Sequence, residues 1–413
     1  MNTTTVLDLN HITTTKLVQK KIIFALSFSF LCVFLTNLLP ALKFPIFEHD
    51  IVQQMPKILL FISYVWALPS FIKRINTKIL YILYGFIATV AINFLFQDNL
   101  QQFLTTVTVF SYSCLPVLLF VTAIDDFRQL YSYFYKSSLF VATLLIVLSL
   151  SGVLEFTAEY SMGFSYSTIF YFIFLLNDFF FTKKISSLFF SLPIFLVIFA
   201  YGSRGALVCI LAFLLFRLTK NIFQKKHLLQ SLIQILVILV TYLNLNNILL
   251  YIQKIFHSAN IQSRTLTLML QNEIDYSAGR DVLYSTVIDA IKKEPLVIRG
   301  INADYNLLGI YSHNILLELT YQFGVIIGSI LIIILLFMIL STLFKKYSFE
   351  FDSLIIIILA IWTSQLMVSY SLWISIYFWF FVGLFINKAN NKVTHLIFNN
   401  EQLKYHDKLN VDH

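Results

Sequence analysis

The sequence predicts an all-α polytopic membrane bundle of about twelve transmembrane helices with one large periplasmic loop. Three observations predict it. Hydrophobic residues make up 58% of the 413 and charged residues 12%, with a mean hydropathy of +0.80; a soluble domain is about half apolar and a quarter charged. Apolar stretches such as 22–39, 207–218, 325–340 and 354–368 reach, with their flanks, the roughly 17–25 residues that cross about 30 Å of hydrocarbon. None alternates like a barrel strand, so the backbone must close its hydrogen bonds within helices.

In chain order, a polar tail (1–21) precedes nine spans in 22–243. They run roughly over 22–39, 57–72, 78–96, 103–124, 138–154, 163–181, 185–201, 204–219 and 227–245. A polar loop occupies 244–312. Three spans follow in 313–387, roughly 314–343, 353–369 and 372–387, then a second polar tail, 388–413. The first apolar segment has no small-residue cleavage site after it and reads as a span, not a cleaved signal. Cys32, Cys114 and Cys209 fall inside spans and read as small buried hydrophobes, with no disulfide framework. The 43 phenylalanines and 22 tyrosines read mostly as lipid-facing and interfacial packing.

Charge separates the connections into two sets. One holds 20 of the 29 basic residues, among them Lys20, Lys21, Lys73, Arg74, Lys183, Lys184, Arg217, Lys220, Lys345 and Lys346. The positive-inside rule places that set and both termini in the cytoplasm, so the loop 244–312 faces outward. The net charge of +8 is mostly this bias and implies no nucleic acid. Lysine follows the rule; arginine does not. Arg204, Arg264, Arg280 and Arg299 all lie on the outer side, and guanidinium is the better bidentate partner for phosphate or carboxylate. Ordinary pairing with Glu273, Asp275, Asp281, Asp289, Glu294 or Asp304 is the bland alternative.

The outer segments carry the candidate chemistry. In Tyr201-Gly202-Ser203-Arg204-Gly205, the glycines allow a tight turn and close packing, and Arg204 opens a span. Within the loop, Leu283, Val287 and Ile291 recur at helical spacing until Pro295, which predicts a helix with Arg280 in its first turn. An arginine there opposes the helix dipole, so it asks for an anionic partner; Asp281 is the nearest. His313, Asn314 and Glu318 open the next span, with Asn314 and Glu318 sharing a face and Tyr321 on the adjoining strip. Histidine titrates near neutrality and suits proton transfer. A carboxylate one turn inside a span needs a partner, for which an outer arginine is the natural candidate. Asp178 and Glu155 read as interfacial. No His/Cys/Asp cluster has metal-ligand spacing; Glu48, His49 and Asp50 form a minor alternative site.

Ser203-Arg204-Gly205-Ala206, Ala278-Gly279-Arg280 with Pro295 and Gly300, and His313-Asn314-x-x-Leu317-Glu318 with Phe323-Gly324 together resemble the O-antigen ligase/polymerase superfamily. The motifs cover about 200–345 and the topology covers the whole chain. The resemblance implies a bacterial inner-membrane glycosyltransferase with its site facing the periplasm. It implies transfer of a glycan from undecaprenyl diphosphate to an acceptor hydroxyl, with inversion, no cofactor and no required metal. Arg204 and Arg280 would hold the diphosphate, with Arg264 a looser match. His313 would act on or position the acceptor hydroxyl, and Glu318 is the other candidate base. Asn314 and Tyr321 are candidates for positioning substrate. Cations in a water-restricted cavity would stabilise the departing diphosphate, in keeping with elementary chemistry.

Within that family the preferred reading is a polymerase, which passes the growing chain to the terminal sugar of another lipid-linked repeat unit. Its partners are then lipid-linked oligosaccharide donor and acceptor in the bilayer; whether a chain-length regulator binds is open. The alternative is a ligase that transfers polymer to lipid A–core. A flippase or other transporter is the rival from another class, disfavoured because the span interiors carry few charges. Tyr201, Tyr305 and Tyr311 are candidates for stacking on sugars.

Overall fold

The computed structural model describes residues 3–42, 45–95, 99–154, 161–201, 204–223, 228–258, 261–271 and 279–387. The helices are α1 (Thr3–Leu38), α2 (Asp50–Ile72), α3 (Thr77–Phe94), α4 (Leu100–Val109), α5 (Leu115–Thr122), α6 (Phe127–Leu150), α7 (Met162–Thr182), α8 (Ile185–Tyr201), α9 (Arg204–Phe223) and α10 (Leu228–Leu243). They continue with α11 (Leu245–Ser258), α12 (Arg264–Leu270), α13 (Arg280–Lys293), α14 (Ala303–Leu308), α15 (Ile315–Phe344), α16 (Phe349–Val368) and α17 (Ile376–Asn387). Among the described residues, nine helical units are long and apolar enough to cross a membrane: α1 from Leu17, α2, α3, the α4–α5 unit, α6, α7, α9, α15 and α16. The expected spans 185–201, 227–245 and 372–387 correspond to the shorter helices α8, α10 and α17.

Two boundaries differ from the sequence expectation. The span expected at 138 starts at Phe127, because Asp126 caps the helix by accepting from the Gln129 amide at 2.9 Å and Phe127, Leu130, Tyr131 and Phe134 already bury one face. Arg128 and Lys136 therefore ride on a helix. The polar 1–21 segment is likewise helical from Thr3 onward.

α7 and α16 form the centre, each buried over 78% of its most apolar stretch, whereas α15 is buried over only 17% and presents its leucines and isoleucines outward. Such a surface needs a hydrocarbon solvent. The aromatic residues depart from the lipid-facing reading. Phe34, Phe103, Phe134, Phe164, Phe170, Phe174 and Phe213 are among the largest fully buried side chains. Phe30 sits with its ring centroid 5.0–5.6 Å from those of Phe134, Phe170, Tyr377 and Phe380. Interlocked rings replace the small-residue seams that many membrane helices use.

One end of the bundle is tied by buried charge. Arg217 Nη1 and Lys220 Nζ on α9 pair with Asp352 on α16 at 2.6 and 2.5 Å. Arg217 also donates to Asn177 Oδ1 at 2.7 Å and lies over the Phe181 ring at 4.1 Å, while Lys220 donates to the Thr342 carbonyl at 2.9 Å. Asp178 is enclosed with Tyr131, Thr182 and Ser187 as donors. The sequence treats Arg217 and Lys220 as loop charges and Asp178 as interfacial; the fold buries all three to 2% exposure or less.

The polar loop packs on the other end. The expected Pro295-stopped helix is α13, Arg280–Lys293, and its Val287 packs with Ala303 of α14 and Tyr321 of α15. The chain after Pro295 then inserts into a break in α15. Gly324 has φ 74°, a conformation open chiefly to glycine, and a Cβ there would lie 3.1 Å from the Leu296 carbonyl oxygen. The broken turn is repaired from outside: Val325 donates to Pro295, and Arg299 and Gly300 donate to Gln322. Val325–Phe344 alone suffices to cross about 30 Å, so Glu318 stands on the short half-helix before the break. Farther on, the Ile301 amide donates to Asn93 Oδ1 at 2.8 Å and Asn302 to Thr106, which pins the loop to α3 and α4.

Candidate functional site

His313 occupies the turn between α14 and α15 with φ 54°. A left-handed histidine is uncommon and costs on the order of 1–3 kcal/mol unless its surroundings impose it. Here they do. The Ser312 amide donates to buried Asp304 at 2.9 Å, Asn314 caps α15 by accepting from the Leu316 and Leu317 amides, and Tyr284 of α13 donates to the His313 carbonyl at 3.4 Å.

The imidazole is held below its ordinary value of 6.5, first by burial and also by the positive charge of Arg280. A hydrogen bond to the Ser369 backbone and the charge of Asp304 act in the opposite direction. Nδ1 is buried and has no hydrogen-bond partner among the described residues. The ring is therefore mainly neutral near pH 7, with Nδ1 an unpartnered acceptor enclosed by the protein.

Ser369 links this turn to Arg204. Its hydroxyl accepts from Tyr166 at 2.9 Å, and a Cβ on Gly205 would run into that same Tyr166 hydroxyl. Gly205 must be glycine for α9 to start against α7 and the 369 turn, and this sets Arg204 beside them. Arg280 reaches the same place from the first turn of α13, behind left-handed Gly279, and makes no ion pair among the described residues. The bland alternative, pairing with Asp281, is not formed. Gly202, Ser203 and Ala278 lie outside the described residues.

Glu318 is 1% exposed. It accepts from the Ser371 hydroxyl at 2.6 Å, from the Leu372 amide at 3.1 and 3.2 Å and from Gln322 at 3.5 Å. Neutral donors, not the arginine anticipated for it, hold this carboxylate, and it braces the 369–372 turn that faces His313. Gln322 extends the brace, donating to Asp304 at 2.8 Å and accepting from Trp373 at 2.9 Å.

The remaining candidates lie elsewhere. Tyr321 is buried beneath Arg299, whose guanidinium lies 4.5 Å from the ring centroid and pairs with Glu294 at 3.1 Å. That is the bland pairing for Arg299. Arg264 opens α12, which is fixed by Ser263 donating to the Phe199 carbonyl at 2.5 Å; Arg264 lines a cavity of about 320 Å³ with His257 and Gln253. Tyr305 and Tyr311 pack on each other at 5.4 Å, and Tyr201 packs on Phe164 at 4.8 Å. Glu155, Glu273 and Asp275 lie outside the described residues. Among those described, no group of three or more His, Cys, Asp or Glu side chains could hold a metal ion.

Sequence reading did not single out Tyr166, Ser369, Ser371 and Gln322, and for Asp304 it considered only a surface ion pair. Tyr166 and Ser369 meet across 203 residues, a pairing with no local signature. No family model, curated protein or solved structure matches the chain. The fold and its apolar exterior define a class, the helical multi-pass membrane proteins.

Proposed function

We propose that the chain is a membrane glycosyltransferase that moves a glycan from a polyprenyl diphosphate carrier to a sugar hydroxyl. The preferred form is the polymerase reaction, with the terminal sugar of a second lipid-linked repeat unit as acceptor at the periplasmic face of a bacterial inner membrane. The observation that carries this reading is the meeting of the start of α9 at Gly205 and the His313 turn at Ser369, with the Arg280 charge acting on the imidazole.

The arrangement suits the chemistry. Departure of a diphosphate needs positive charge more than it needs an acid, and arginines beside a partly buried site meet developing charge without first reorganising water. His313 Nδ1 is free to take the proton of the acceptor hydroxyl as the glycosidic bond forms. The carrier leaves as the diphosphate, its charge held by Arg280 and Arg204. Glu318 acts as a positioning residue through Ser371 and Leu372. At the other end of the bundle Arg217 and Lys220 share the one carboxylate of Asp352, a packed ion cluster that favours a structural tie there over a transport path.

The test is the surface glycan ladder of the host strain with the gene deleted and then restored. Single repeats on the acceptor lipid after deletion, with the ladder returning on restoration, are the expected result. Polymer retained on the carrier with none on the acceptor lipid would instead identify the ligase reaction, and an unchanged ladder would remove the transferase reading.

A further inference from the structure

A cavity of about 260 Å³ lies among α1, α2, α7 and the 109–113 segment. It is smaller than the roughly 300–1,000 Å³ of pockets for drug-sized ligands, which leaves room for one ring and not for a chain. It adjoins the site already described: Tyr166 of its wall donates to Ser369, whose backbone meets His313.

Three local irregularities build its wall. Phe110–Cys114 is a π-helical turn, a device often found at functional sites, and it contributes Tyr112 and Ser113. Pro56, inside α2, withholds an amide from that helix and lies beside Lys57 in the same wall. Gly163 opens the third side, since a Cβ there would collide with Asn37 Oδ1.

The lining sorts its donors from its acceptors. Thr36, Ser113 and Ser167 donate to carbonyls of their own helices, and Tyr166 donates to Ser369. With those protons committed, the hydroxyls keep oxygen lone pairs for a ligand. Such a wall suits a molecule rich in hydroxyl donors and repels hydrocarbon, so a lipid tail is a poor occupant. Lys57 is the one charged side chain among the described residues that line the cavity. It is exposed at the edge and makes no ion pair among the described residues.

We infer that this cavity takes a single sugar residue and that Lys57 selects a carboxylated one, a uronic acid. The acceptor oxygens of the wall meet the ring hydroxyls, and the ammonium meets the carboxylate that those oxygens would otherwise disfavour. The inference rests on the transferase reading for the source of the sugar, and it names the class of sugar next to the bond that forms.

The experiment titrates full-length protein in lipid nanodiscs with methyl glucuronide, methyl glucoside and methyl glucosaminide, followed by ligand-observed NMR. The glucuronide should bind about tenfold more tightly than the glucoside, as expected for one charge-assisted contact, and the glucosaminide most weakly. Lys57→Gln should make the glucuronide and glucoside equal, and Lys57→Glu should reverse their order. Thr36→Leu, which narrows the cavity and leaves Lys57 in place, should weaken both without lowering the melting temperature. Equal binding of the three glycosides by the unaltered protein, or binding indifferent to these substitutions, overturns the inference. So does displacement of the glucuronide by an equal concentration of glycerol 1-phosphate, which would mark a site for a bilayer headgroup. A glycan ladder that depends on the gene, without the glucuronide preference, would remove this inference alone. The preference in a protein whose deletion leaves the ladder unchanged would remove the transferase reading alone.

Discussion

The two ends of this bundle use arginine in opposite ways. At one end Arg217 is 2% exposed and answered by Asp352, Asn177 and the Phe181 ring. At the other, Arg280 has no anionic partner among the described residues and shares its surroundings with a neutral histidine. A compensated buried charge is a fastening, since removing one member strands the rest. A cation with no anionic partner among the described residues, beside an unpartnered imidazole nitrogen, is a place that suits an anionic ligand. The difference teaches where stability and chemistry separate in this fold.

Substitutions can break the comparison. The largest effect is expected at the fastening: Asp352→Ala leaves Arg217 and Lys220 without their anion and should cost about 3–5 kcal/mol. It would be read as loss of folded protein in the membrane fraction and a lower melting temperature. A stable Asp352→Ala protein would show that the cluster is not a fastening.

Next come Arg280→Ala and Arg204→Ala, each expected to lower polymer formation about 10²–10³-fold while folded protein is retained. Lysine should not fully restore product if two-point contact with phosphate matters. Normal ladders from both alanine variants would contradict the site assignment. Loss of folded protein would instead move these arginines into the same category as Arg217.

A smaller effect is expected at the break in α15. Gly324→Ala imposes a side chain on a left-handed residue facing the Leu296 and Val297 carbonyls, at a cost on the order of 1–3 kcal/mol. Limited proteolysis of the 295–313 segment should increase in this variant; unchanged protection would mean that the break tolerates a Cβ.

The finest test is pH. His313 is depressed, so its neutral form persists as pH falls through 6.5, and product formation that needs the neutral ring should decline only below that value. The stability that comes from burying the neutral ring is present above the unfolded value and lost as pH falls through the lower folded one. The groups facing the ring are Arg280 from α13, Asp304 from α14 and the Ser369 backbone. Arg280→Gln should therefore move the acid limb of residual activity upward, and Arg280→Lys should not. An acid limb indifferent to the charge at 280 would separate the two residues.

Much of the local structure around the candidate site was legible because its pieces are local. The Pro295-stopped periodicity located α13 and put Arg280 in its first turn, and Gly205 beside Arg204 marked close packing. Asn314, a candidate for positioning substrate, caps α15 with its side chain, the ordinary use of asparagine before a helix. Glu318 was read at membrane depth because an unbroken apolar run hides the break at Gly324; hydropathy counts residues and does not see a positive φ.

By itself the sequence determined the all-helical membrane class and most helix positions, because hydrocarbon solvent imposes length, composition and backbone satisfaction locally. The tertiary structure alone decided which charges are answered among the described residues. That depends on partners far apart in the chain, Arg217 with Asp352 at 135 residues and Tyr166 with Ser369 at 203, and only packing brings such groups within reach of one another.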